Sequence, residues 1–369
     1  MTGKVIRGIE GYSVASSSFL GWVLSGPKPS VINGNEKIIL NLRVDANLIG
    51  SVEDVRSERD ELRSDLQKFW NVEKMESTDE CMVQFENDIM HNGERYVTKL
   101  PFKRYHDCLL DNYKICEIKL NRLKRQLGDK NLLSNYDSIF KEYEINKIIK
   151  RVPDNEIAKE SGKTHHLAHR PVVRKDMKTT KIRAVFDASC SNNGLSLNDC
   201  LYSGPNLLSK IFDVLLRFRL NYIAILADIK QAYLNVKISS EHKDYLRFLC
   251  YENVETEQDS ELIVCRFLRV VFVLTSSSFL LHGTIRHHLK KYKKCNGKFV
   301  KRFVEDLYVD NVTSGTESVT KGKEFYKKSK TIMSEGGFNL KKSETKSREL
   351  QNYFGFNEKI IKNKEIKIQ

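Results

Sequence analysis

The hydrophobic pattern changes period several times along the chain, and each change predicts an element. The apolar run at 222–227, Tyr-Ile-Ala-Ile-Leu-Ala, is rich in β-branched residues and of strand length. It predicts a buried strand that ends at Asp228. The segment 303–315, FVEDLYVDNVTSG, reads as strand, tight turn and strand, with Asp310 and Asn311 at the turn. Between 53 and 151 the period is helical. Val55, Leu62, Leu66, Phe69 and Trp70 can share a face. Leu109, Tyr113, Cys116, Leu120, Leu123 and Leu127 step by threes and fours until Gly128 stops the helix, and Tyr136, Ile139, Phe140 and Tyr143 mark another that ends before Pro153. The phrase at 94–103 is strand-like.

Beyond His165 the pattern is mixed. Strands are expected at 167–173 and 180–186, joined by the basic turn 174–178. An amphipathic helix is expected over 205–220, with Pro205 in its first turn and Leu207, Leu208, Ile211, Val214, Leu215 and Phe218 on its buried face. Strands near 245–250 and 262–270 are expected to extend the sheet that carries Asp228. Helices follow at 276–292 and 319–335, the second stopped by Gly336-Gly337. Helices on one face of an antiparallel sheet define an α+β class. Residues 1–40 are short, alternating and glycine-punctuated, the pattern of small strands and turns.

Composition narrows the partners. The chain has 369 residues, 40% of them hydrophobic, enough for two or three compact units with real cores. Lys+Arg of 62 against Asp+Glu of 48 leaves a net charge of +14, which favours a polyanionic partner through counterion release. Eight cysteines without CxxC spacing read as reduced thiols of an intracellular protein rather than a disulfide framework or zinc knuckle. No apolar run reaches the length of a membrane span and no signal-peptide core is visible, so no membrane partner is expected and the sequon at Asn311 is read as unglycosylated.

The candidate chemistry begins with Asp228. A carboxylate at the end of a buried strand is costly unless a cation meets it. Asp228 and Asp310, brought together from separate strands, can bind hard divalent cations and hold two metals that activate a hydroxyl and neutralise a leaving pyrophosphate. The bland reading of Asp310 is an ordinary turn aspartate. Two further signals are read as chance. Ser161-Gly162-Lys163-Thr164 mimics the end of a phosphate loop, but Ile157 stands where that loop needs glycine. His165, His166 and His169 lack a matching ligand cluster and are expected at the surface rather than on zinc.

The order ADIKQAY, TSSSFLLHGTIRHHL, YVDN, GGFNLKK, YFGF resembles the successive palm motifs of reverse transcriptases. With HRPVVRK, TTKIRAVFDAS, LNDCLYSGPNLL and LLRFRL, the chain resembles the polyproteins of BEL/Pao long-terminal-repeat retrotransposons. The resemblance implies three parts: a C-terminal remnant of a retropepsin-like (A17-type) protease at 1–40, without its Asp-Thr-Gly or Asp-Ser-Gly loop; a mostly helical connector at 41–152; and right-hand polymerase fingers and palm at 153–369 with a truncated thumb. It implies Asp228 and Asp310 as catalytic ligands of Mg2+ or Mn2+, helped by the Ile229 carbonyl, one ion activating the primer 3′-hydroxyl. Lys175 and Arg183 would grip the triphosphate, Tyr233 would lie under the sugar and exclude a 2′-hydroxyl, and Gly355 would mark the primer-gripping turn. The partners would be an RNA template, a DNA primer and deoxynucleoside triphosphates, in cytoplasmic virus-like particles.

The departures are Asn311 for the second Asp of YVDD, Val273 for glycine, Ser278 for proline and Ser343 for an aromatic. Together with the missing flanking domains they are read as the marks of a fragment and decayed copy, an RNA-directed DNA polymerase by descent. The rival reading is a non-catalytic nucleic-acid-binding or structural remnant that uses its basic groove alone.

Overall fold

The computed structural model describes residues 80–104, 109–157, 163–174, 181–192, 194–252 and 261–366, with side chains to 357, together with the backbone of three short strands nearer the start. The helical stripe at 55–70, Lys175 and the Ser161-Gly162 half of the loop mimic lie outside the described residues. Two compact units partition the chain, 1–71 and 72–369. In the first, β1 (Val5–Arg7), β2 (Val14–Ser18) and β3 (Gly21–Ser25) form an antiparallel meander.

The described residues of the second unit begin with α1 at 80–88, then β4 (Met90–His91), β5 (Tyr96–Thr98), α2 (Tyr113–Gly128), α3 (Leu133–Ile145), β6 (Ile149–Arg151) and α4 (Asp154–Ile157). Next come β7 (Ala168–Arg174), β8 (Lys181–Asp187), α5 (Ile211–Leu220), β9 (Ile223–Ile229), β10 (Lys237–Ile238), β11 (Arg247–Glu252) and β12 (Glu261–Phe267). The remainder is α6 (Ser277–Lys290), α7 (Lys293–Asp306), β13 (Leu307–Tyr308), β14 (Asn311–Thr316), α8 (Val319–Glu335), β15 (Leu340–Thr345) and α9 (Arg348–Ile366). Helices and antiparallel sheets share one core, the α+β arrangement expected from the pattern.

The central sheet runs β13-β14-β9-β15, antiparallel throughout. Alternation sends Ile223, Ile225, Ala227 and Ile229 to a buried face, with Val312, Ser314 and Thr316 beside them. The other face carries Leu226 and Asp228 opposite Thr313 and Asn311. β11 and β12 do not extend this sheet as expected. They pair with each other and with β6 in a separate sheet, because the open edge of β9 is filled by β15. The β7–β8 hairpin packs on that second sheet through an aromatic cluster in which Phe186 meets Phe248 at 5.2 Å and Phe267 at 4.8 Å.

Three other expectations are corrected. Residues 303–306 close α7 rather than open a strand: Phe299 and Phe303 stack at 5.6 Å on one helical stripe facing Phe325, and that periodicity outweighs a short apolar run. α5 starts at Ile211, well after Pro205, and only Val214 on it is buried, while Ile211, Phe212, Leu215, Leu216 and Leu220 are exposed. A helical apolar stripe shows that a face exists, not that a neighbour covers it. The histidines of 165–169 are interior. His165 and His166 are buried, and Asn112, at the start of α2, holds His166 by donating to its carbonyl at 2.7 Å and accepting from its N–H at 2.8 Å, while the Asn112 amide lies 3.2 Å from the His165 Nε2. His169 donates through Nε2 to the Leu249 carbonyl at 2.8 Å, which leaves Nδ1 to accept from the Tyr136 hydroxyl.

Burial, the largest cause, depresses both His165 and His169 from the ordinary 6.5 to about 4. The unfolded chain therefore takes up protons that the native state refuses, so the stability these residues contribute is complete above pH 6.5 and is lost as the pH falls toward 4. Urea midpoints measured across that window should fall, and should fall less in a His165→Gln/His169→Gln double variant. Equal slopes in the two proteins would refute the assignment.

Candidate active site

The site is built where β9 ends. The Ile229 N–H donates to the Asp310 carbonyl at 2.8 Å, so residues 229 and 310 form a hydrogen-bonded pair of the antiparallel ladder. Asp228 then stands opposite Asn311 in a non-hydrogen-bonded pair, where side chains approach most closely. N–H and C=O of one residue leave the same edge of an antiparallel strand, so the Ile229 carbonyl also faces the Asp310 side.

The turn itself is Val309-Asp310, one residue earlier than the sequence suggested, since Tyr308 pairs with Asn311. Val309 has φ +53°, and Asp310 is not in that region. Positive φ at the first central position alone is the type II′ pattern, which favours glycine there. A β-branched residue in it stores roughly 1–3 kcal/mol of strain. The tip is held by the Ile229 hydrogen bond and, from α6, by buried His282, whose polar contact is the Val309 backbone and whose pKa burial lowers to about 4.

After Ile229 the backbone turns sharply through Gln231, at φ +50°, into a short 3-10 helix over Ala232–Asn235 that carries Tyr233. Asn235 fixes this elbow by donating to the Lys230 carbonyl at 2.9 Å and accepting from Arg95 at 2.8 Å, which links it to the β4–β5 hairpin. Tyr233 is half-buried. Burial first, and then the charge of Asp310, raise its phenol above the ordinary value.

Asp228, Ile229, Tyr233, Asp310 and Arg183 line one open cleft of about 840 Å³. Its basic lining residues are Arg183, Lys230, Lys341 and Lys342, and its acidic ones are Asp228 and Asp310. A bulge in β15 between Lys341 and Glu344, with Lys342 at φ +52°, brings the Lys342 ammonium 3.5 Å from Asp228. Asn311 donates to the Asp310 carboxylate at 3.0 Å. The two aspartates and the Ile229 carbonyl that border this cleft are hard oxygen donors of the kind Mg2+ and Mn2+ take, and Lys342 already brings positive charge to Asp228. The set fits such a cation with two carboxylates rather than three. No group of three or more His, Cys, Asp or Glu side chains suited to a metal occurs among the described residues.

The other sequence candidates lie apart. Val273 flanks the cleft-lining Val271 and Phe272, at negative φ, and its carbonyl accepts from Asn198 at 3.1 Å. Its backbone therefore needs no glycine. Ser278 is the second residue of α6. Gly355 lies inside α9 rather than in a turn, with open space where a Cβ would be, and outside the cleft lining. Sequence reasoning missed Phe272, which lines the cleft half-exposed, and gave no role to Lys341 and Lys342 individually. The phrase GGFNLKK was the available signal for the lysines, but a bulge leaves no mark in residue type.

No protein-family model matches the chain, and no curated protein matches it in sequence. Among solved structures, it is similar to the foamy viral protease-reverse transcriptase dRH in complex with double-stranded DNA, at 15% identity and a TM-score of 0.39, covering 57% of this chain and 30% of that one. It is also similar to the foamy viral protease-reverse transcriptase in complex with an RNA/DNA hybrid, at 13% identity and a TM-score of 0.42, covering 58% of this chain and 24% of that one. The chain thus spans less than a third of either protein, and likeness at this level defines no shared activity.

Two outcomes follow from the geometry. Val309→Gly relieves the turn at the cost of glycine's extra unfolded-state entropy and should stabilise by about 1 kcal/mol in urea denaturation; a clear loss of stability would mean that the valine side chain's packing outweighs the strain. Lys342→Met removes a competing ammonium and should strengthen Mn2+ binding, followed by the spectrum of the free ion, by roughly 2–5-fold. Weaker binding would show that Lys342 does not compete for Asp228.

Proposed function

We propose that residues 153–369 are the fingers and palm of a BEL/Pao-type reverse transcriptase, a template-directed nucleotidyltransferase that extends a DNA primer on RNA. The observation that carries this reading is the convergence of Asp228, at a strand end, and Asp310, at the tip of the neighbouring hairpin, on one cation-lined cleft.

Asp228 and Asp310, with the Ile229 carbonyl, are the groups that would hold Mg2+ or Mn2+. Such ions supply Lewis acidity to an attacking hydroxyl and charge neutralisation to a leaving pyrophosphate. The chain's own groups do the rest. Arg183 offers a planar fork to phosphate oxygens from β8, and Lys341 and Lys342 add positive charge beside Asp228. Lys175 would join Arg183 in gripping the triphosphate. The ring of Tyr233 borders the cleft near Asp310, where it restricts the sugar to one lacking a 2′-hydroxyl. Asn311 replaces a carboxylate with an amide that donates to Asp310, so the site holds less negative charge for a cation to neutralise.

Asn311 is also the observation that favours a second reading: a basic groove that binds nucleic acid without chemistry. Primer extension on an RNA template with Mg2+ and deoxynucleotides separates the two. Under the polymerase reading the native chain extends weakly, Asn311→Asp raises the rate about tenfold or more, and Asp228→Asn abolishes it, as expected when a group acting in the transition state is changed. Salt-sensitive binding indifferent to Asp228→Ala, with no extension by any variant, would establish the second reading instead.

A further inference from the structure

The last residue of α7 is an aspartate, Asp306, four positions before Asp310. It is buried to 3% exposure, at the helix end where the macrodipole disfavours negative charge. It is compensated from three elements. Ser314 on β14 donates to its Oδ2 at 2.5 Å, the Arg302 Nε on α7 is 3.5 Å from the same oxygen, and the Arg217 Nε on α5 is 3.8 Å from Oδ1. Each arginine also grips backbone. Arg217 donates to the Glu305 carbonyl at 2.6 Å, and Arg302 donates to the Gly315 carbonyl and to the Ser314 hydroxyl.

Gly315 belongs to this joint, because a Cβ there would come within 2.4 Å of Asn221, which follows α5 and donates to the Arg217 carbonyl at 2.8 Å. The buried anion therefore pins the end of α7, the start of the hairpin and the far half of β14 to α5. Only Leu307, Tyr308 and Val309 separate it from Asp310.

We propose that Asp306 is a positioning residue: with Arg217, Arg302 and Ser314 it locks the root of the β13–β14 hairpin so that Asp310 is held against Ile229 despite the strained tip. This inference rests on the polymerase reading for its catalytic meaning but not for its geometry. The Ile229 amide reports the contact directly, because its acceptor is the Asp310 carbonyl.

In native-state hydrogen exchange, Asp306→Asn, which keeps shape and removes charge, should lower protection at Ile229 about tenfold or more while amides of β11 and β12 keep theirs. Ser314→Ala, which removes a single hydrogen bond, should act in the same direction by a smaller factor, and it decides the matter if Asp306→Asn does not fold. Unchanged protection at Ile229, or a loss shared equally by β11 and β12, overturns the proposal. In the Asn311→Asp background, Asp306→Asn should raise the Mg2+ concentration for half-maximal extension about tenfold with primer-template affinity unchanged, as expected for a displaced ligand. If no variant extends a primer, the polymerase reading fails, and the exchange result still judges Asp306 separately.

Discussion

The pairing of β9 with β14 is the constraint on which the site depends, and the hydrogen bond from Ile229 to Asp310 is its outermost rung. Side chains alternate along a strand, so a slip of one residue would carry Asp228 into the face shared by Ile225, Ala227 and Val312. The cost of burying that charge fixes the register as firmly as the hydrophobic face does. Register places Asp228 on the open face, the hairpin brings Asp310 back to the same edge, and the elbow at Gln231 turns Tyr233 into the cleft they share. Each step is local geometry, and each would fail if the rung were lost.

Elements with long or pure periodicity could be read from residues alone. The stripe Cys116, Leu120, Leu123 and Leu127 is the buried face of α2, and the glycine pair after Glu335 ends α8. β9 and the aspartate next to its end were visible because a short β-branched run bounded by polar residues has few other fates. What escaped reading depends on contacts between distant segments. The two-residue strand β13 has no period to detect, and its turn contains neither glycine nor asparagine at the strained position, since Val309 is held there by neighbours. The bulge that brings Lys342 to Asp228 arises from pairing with β9, and the exposure of Phe212 and Leu216 depends on which segments reach α5.

The electrostatics of the cleft follow from Asn311. Three carboxylates at a hairpin tip repel one another and raise each other's proton affinity unless cations separate them. With an amide at 311, one repulsion becomes a hydrogen bond to Asp310, and Lys342 supplies part of the positive charge near Asp228. The tip is thereby easier to hold together without a metal. The same change weakens the field that would draw a divalent cation in, so tolerance of an empty site and strength of a filled one move in opposite directions.

The fold and the charge of the cleft are under different constraints. Asp244 is buried between Arg247 and Arg266, and removing one partner from such a set typically costs about 3–5 kcal/mol, a large part of a domain's stability. Asp306 and its arginines are under the same constraint. Asn311 is exposed at a hairpin tip, where exchanging a carboxylate for an amide leaves the core untouched. Folding therefore protects the groups that support the hairpin far more strongly than the group at its tip. The Asp306 network bears on whether the hairpin holds its place, whereas the residue at 311 bears on the charge of the cleft, and the two carry independent information about what the chain does.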